Sequence, residues 1–148
     1  MILNFKMSEL IYSETAIKEN INNMPDINSL DNMLELITFC LQPVRELLGV
    51  PMIITSGFRN PLVNRLVGGK NNSQHLYGQA ADFIVKGMTP AQIIEKIQTS
   101  NINSYGSCST QAPHFGSCIE YDQLINEYGR WVHISYNKGK NRHQVLKY

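Results

Sequence analysis

From Leu30 the apolar residues return at Met33, Leu34, Ile37, Leu41, Val44 and Leu48, which places them on one face of a long helix. Asn28 or Ser29 is positioned to cap its start, and Gly49 and Pro51 stop it. Ahead of it, Met7 to Lys18 reads as one short helix, closed by an Asn-rich break (Asn20, Asn22, Asn23) that ends at Pro25. The run Met52 to Thr55 reads as a buried strand leading into a Ser56-Gly57 turn. Residues 60 to 74 are loop-like, with one helical turn over Pro61 to Leu66. Gln79 to Val85 has strand character. Thr89-Pro90-Ala91-Gln92 is a capping-box start with Pro at the first helical position, opening a helix to about Gln98. Residues 99 to 118 are polar and rich in Gly and Ser. Glu120 to Glu127 and Trp131 to Tyr136 then form two strands joined at Tyr128-Gly129-Arg130, an antiparallel hairpin. The pattern predicts an α+β protein, with helices packed on a small, mainly antiparallel sheet in one domain over residues 1–148.

Composition narrows the function classes. With 43% hydrophobic and 17% charged residues the chain matches an ordinary globular domain. A formal net charge of +1 supplies no basic face for nucleic acid. No apolar run is long enough to span a bilayer. Met1 to Lys6 lacks the charged-then-apolar pattern of a secretory leader, so synthesis in the cytoplasm is expected. A monomer is expected as well. Three cysteines, an odd number, argue against a disulfide framework, and Cys40 falls within an apolar helical pattern as a small buried hydrophobe.

The densest group of polar and glycine residues runs from Ser73 to Asp82. In it His75, a glycine at 78 that lets the backbone fold back, and Asp82 entering a strand can aim two ligands at one point. The small Ala80 and Ala81 leave room for close packing behind them. Taken alone, a His and an Asp at this spacing fit a satisfied surface-turn histidine better than a metal site. The second element is His133, a polar residue between Val132 and Ile134 whose side chain leaves the strand on the face opposite both. Together the three make a His₂-carboxylate set that leaves a fourth position for water, the form of a catalytic zinc site.

The strings Ile54-Thr-Ser-Gly-Phe-Arg59, Val67-Gly-Gly, Ser73-x-His75-x-x-Gly78-x-Ala80-x-Asp82, Tyr121-Asp-Gln-Leu-Ile125 and Trp131-Val-His133-Ile-Ser resemble the M15 family of zinc peptidases. Within it the chain is most similar to the small bacterial and phage D-alanyl-D-alanine carboxypeptidase-like enzymes, over about Met7 to Leu146. The resemblance implies an α+β fold, zinc on His75, Asp82 and His133, and peptidoglycan stem peptides with D-residues as substrate. It implies that Arg59 grips a substrate carboxylate. Ser73 then touches the same carboxylate or orients His75, and Gln123 is a candidate for contacts with the peptide backbone. Many members carry an acidic residue three positions before the last His, whereas this chain has Arg130 there. Asp122 and Glu127 are the available substitutes for a catalytic base. The segment from Tyr121 to His133 also resembles the zinc site of hedgehog signalling domains, in which the acidic residue six before the last His lies beside the metal. That favours Glu127, with Asp122 otherwise a structural carboxylate at the entry to its strand.

The reading is therefore zinc-dependent hydrolysis of cell-wall peptides, by a D-Ala-D-Ala carboxypeptidase or by an L-Ala-D-Glu or cross-link endopeptidase. A phage endolysin delivered by a holin or tail is one such enzyme. The rivals are a non-catalytic, hedgehog-like zinc module and a cysteine hydrolase using Cys108 or Cys118 with His114. A structural metal on Cys108, His114 and Cys118 is a further alternative. His143 falls in a basic tail, and Trp131 reads as core or pocket wall.

Overall fold

The computed structural model describes residues 3–103 and 118–148. Two short helices, α1 (Met7–Ile11) and α2 (Glu14–Lys18), stand where the sequence suggested one. Ser13 divides them, because its side chain accepts the amide of Ala16 at 3.1 Å and so starts a new helix. The long helix is α3 (Ile27–Leu36) and α4 (Gln42–Leu48), joined by a π-helical segment over Ile37–Leu41. Its cap is Asp26, whose carboxylate accepts the Ser29 amide at 2.8 Å; Asn28 and Ser29 already lie inside the helix. In the π segment the Gln42 amide donates to the carbonyl of Ile37, five residues back. Pro43 follows at once and has no amide to donate, so the register changes where one bond is lost in any case. Gly49, at φ +68°, ends α4.

β1 (Ile53–Ser56), α5 (Pro61–Leu66), a 3₁₀ turn over Gln74–Tyr77 and β2 (Ala80–Ile84) come next. They are followed by α6 (Pro90–Asn103), opened by the expected reciprocal bonds between Thr89 and Gln92. β3 (Gln123–Glu127), β4 (Trp131–Ser135) and β5 (Gln144–Lys147) complete the chain. The sheet order is β1-β2-β4-β3-β5, antiparallel throughout except that β5 runs parallel to β3.

Alternation along the strands sorts the two faces. Ala81, Phe83, Leu124, Val132 and Ile134 are buried in one core with Leu36, Leu41, Val44, Ile93 and Ile97 of the helices. Burying each large side chain of this set stabilises the fold by roughly 1.5–3 kcal/mol. That core fixes the sheet rigidly, and the opposite face is left to carry polar residues. Among the described residues no helix is long and apolar enough to cross a membrane.

Candidate metal centre

The polar face of the sheet is built by register. Asp82 of β2 pairs with His133 of β4, and Ser56 of β1 pairs with Asp82, so the three side chains leave on the same side. His75 arrives from outside the sheet on the 3₁₀ turn. Ser73 starts that turn by accepting the His75 amide at 3.3 Å, and Gly78 ends it at φ +69°. A Cβ on Gly78 would lie 2.4 Å from the Ser29 carbonyl oxygen, so the return from His75 into β2 requires glycine on both grounds.

His75 is only 3% exposed, and its Nδ1 lies 2.7 Å from the carbonyl oxygen of Gly57. A carbonyl only accepts, so Nδ1 carries the proton and the Nε2 lone pair faces Asp82 Oδ1 at 3.3 Å. His133 Nδ1 meets the same oxygen at 2.9 Å. The second carboxylate oxygen, Oδ2, accepts from Arg59 Nη2 at 3.2 Å. One ligand atom from each of His75, Asp82 and His133 lies within 4.8 Å of the others. Two imidazole nitrogens and one carboxylate oxygen, converging with a fourth direction left to the cleft, fit Zn²⁺ in its catalytic form. The Gly57 carbonyl behind His75 and the guanidinium behind Asp82 orient these donors from outside.

The protonation states suit a metal as well. Burial pushes the Asp82 carboxyl up, but His75 and His133 outweigh it and hold the group well below the usual carboxylate range. Burial pushes His75 down, with Asp82 only partly opposing. An ionised carboxylate and a neutral imidazole are the forms that bind a cation.

These residues form the floor of a cleft of about 600 Å³ that also admits Arg59, Ser73, Asp122, Gln123, Glu127 and Trp131 to its lining. Arg59 donates Nε to Ser56 Oγ at 3.0 Å and Nη1 to Asn64 Oδ1 at 3.4 Å, besides its bond to Asp82. Three of its five N–H groups are thus engaged, and two remain. Glu127 pairs with Trp131, two positions from the Ile125–His133 pair, and so shares the face of His133. Burial raises its carboxyl above the usual range, with His133 pulling it partly back.

Asp122 is differently placed. It is fully buried, and both oxygens are filled: Oδ1 accepts from Arg142 N (2.8 Å) and Nε (2.9 Å), and Oδ2 from Arg142 Nη2 (2.7 Å) and Gln74 Nε2 (2.8 Å). Gln123 donates Nε2 to Gln144 Oε1 at 2.8 Å, which ties β3 to β5. Arg130 is exposed in the β3–β4 turn.

Gln74 and Arg142 are parts of the site that the sequence did not single out. The Gln74 Oε1 atom is buried and, among the described residues, has no hydrogen-bond partner. The thiol of Cys40 is buried and donates to the Glu120 carbonyl, while the exposed His143 imidazole lies 3.2 Å from Glu120 Oε2. Cys108 and His114 lie outside the described residues, and with them the suggested second metal and thiol sites.

The family model described as Peptidase M15 matches residues 3–115, a span that takes in Arg59, His75 and Asp82 and stops short of β3 and β4. The chain belongs to the M15 family of zinc peptidases. It is also similar to the zinc D-Ala-D-Ala carboxypeptidase of Streptomyces albus G, 46% identical over 44 residues. That stretch is 29% of this chain and 17% of the relative, so the chain matches only a small part of that protein's length.

Proposed function

We propose that this chain hydrolyses peptide bonds in the stem peptides of bacterial peptidoglycan, as a zinc-dependent carboxypeptidase or endopeptidase. The observation that carries the proposal is the convergence of His75, Asp82 and His133 on the floor of a cleft that Glu127 and Arg59 also line. The name of the relative, and the family's peptidase class, supply the substrate class.

His75, Asp82 and His133 would hold the zinc, which when bound polarises a scissile carbonyl and makes water acidic enough to attack near neutral pH. Glu127 acts as the base. Its carboxylate accepts the proton released as water adds to the carbonyl carbon and returns it to the nitrogen of the leaving amine. A carboxyl raised above its ordinary range suits both halves of that transfer. Arg59 keeps Asp82 oriented and turns its two remaining N–H groups to a carboxylate of the peptide. Ser73 and Gln123 border the cleft: Ser73, whose hydroxyl accepts the His75 amide, orients His75, and Gln123 offers its amide to the peptide backbone. Asp122, with both oxygens filled, holds the 3₁₀ turn and the segment before β5 together. In an organism whose wall it meets from inside, such an enzyme serves as an endolysin.

The test is digestion of purified muropeptides by the zinc-loaded protein, with products read by mass spectrometry. Release of D-Ala marks a carboxypeptidase, and a cut within the stem or cross-link an endopeptidase. Zinc bound with no peptide cleaved would instead describe a binding module.

A further inference from the structure

The charged lining of the cleft is unevenly paired. Arg59 is bonded to Asp82 and Arg142 to Asp122, whereas Lys70 and Lys140 line the same cleft without an ion pair among the described residues. Lys138, in the same turn as Lys140, is by contrast bound to Glu35 at 2.6 Å. The Lys70 charge acts on the Glu127 carboxyl through space.

The backbones that carry the two lysines are fixed. The Lys70 carbonyl accepts from Asn64 Nδ2 at 2.9 Å and from the Ser73 amide at 3.1 Å. Gly69 before it is pressed against Asn64, with no room for a Cβ. The Lys140 amide donates to the Asn137 carbonyl at 2.8 Å. The Gln74–Asp122–Arg142 bonds join the segment just after Lys70 to the segment just after Lys140. Both lysines are exposed residues on anchored backbone that line the one cleft.

We propose that Lys70 and Lys140 form a second carboxylate-binding subsite, which selects peptides carrying an anionic group besides the one that Arg59 takes. Two ammonium groups that line one cleft, neither in an ion pair among the described residues, attract an anion over several ångströms and then donate to its oxygens. The ligand is a peptide residue with an extra carboxylate, such as a diaminopimelic residue in place of lysine. This substrate class rests on the peptidase reading above.

The experiment uses the zinc-loaded protein and two synthetic stem peptides that differ only in having diaminopimelate or lysine at one position. kcat/KM is measured for both, and affinity for both is measured by calorimetry at low and high salt. The wild type is expected to favour the diaminopimelate peptide roughly tenfold at low salt, through KM, and the preference is expected to shrink as salt rises. In a Lys70→Gln, Lys140→Gln double variant the ratio is expected to fall towards one, while Lys138→Gln keeps it. Taking the ratio cancels any effect of Lys70 on Glu127. A wild type without preference, or a double variant that keeps it, overturns the proposal. If neither peptide is cleaved, the peptidase reading has failed, and the calorimetric ratio decides the subsite by itself.

Discussion

Asp82 and His133 stand directly opposite one another on adjacent antiparallel strands, and one carboxylate oxygen meets the imidazole Nδ1 at 2.9 Å. The pairing makes the candidate metal centre a property of the sheet. His75 alone is carried by a turn, and that turn is closed by a glycine that no other residue replaces without strain.

Glu127→Gln keeps the size of the side chain and removes its ability to take a proton. Turnover is expected to fall by about 10²–10⁴, with zinc content unchanged. Steady-state rates and metal analysis on the same preparation check this. Full activity in the variant would move the base elsewhere.

Arg59→Ala removes both the bond to Asp82 Oδ2 and the free N–H groups in the cleft. The loss in kcat/KM is expected to be about 2 kcal/mol on peptides with a free C-terminal carboxylate. Arg59→Lys should recover little of it, because one ammonium cannot reproduce the fork. Equal losses on amidated peptides would show that Arg59 acts only through Asp82.

Asp122→Asn is expected to cost roughly 1–3 kcal/mol of stability, since a filled buried carboxylate becomes an amide facing Arg142 and Gln74. The hydrogen bonds from Arg142 lead in holding the folded pKa below the ordinary value near 3.8. A depressed carboxyl contributes stability that is complete above the unfolded pKa and drains away as pH falls through the folded one. Thermal melts of the wild type should therefore fall below about pH 4, and melts of Asp122→Asn should fall less steeply there. Parallel acid slopes in the two proteins would contradict this role.

Gly78→Ala places a methyl group 2.4 Å from the Ser29 carbonyl at a left-handed backbone angle. A loss of about 2 kcal/mol or more, with weakened zinc binding, is expected from the strain and the forced shift. Calorimetric melting with and without zinc measures both.

The three proposed metal ligands stand out in the sequence because each interrupts a pattern: a histidine within an apolar strand, and a histidine and an aspartate set around a glycine turn. The Glu127–Trp131 pairing was legible from the length of the turn between the strands. What escaped depends on partners distant in sequence. β5 is four residues long and owes its place to the edge of β3, which a local pattern does not reveal. The break between α1 and α2 turns on one serine hydroxyl, and the π segment on one proline within a run that is otherwise uniformly helical. Arg142 drew no notice in the sequence, since its significance lies in Asp122, twenty residues earlier.

The central claim is tested most directly by titrating zinc into chelator-stripped protein while following hydrolysis of a stem peptide. Activity is expected to be absent at first, to rise linearly and to level off at about one zinc per chain, with His75→Ala and His133→Ala inactive at that stoichiometry. Activity that survives stripping, or that both alanine variants recover at one equivalent, would contradict the account.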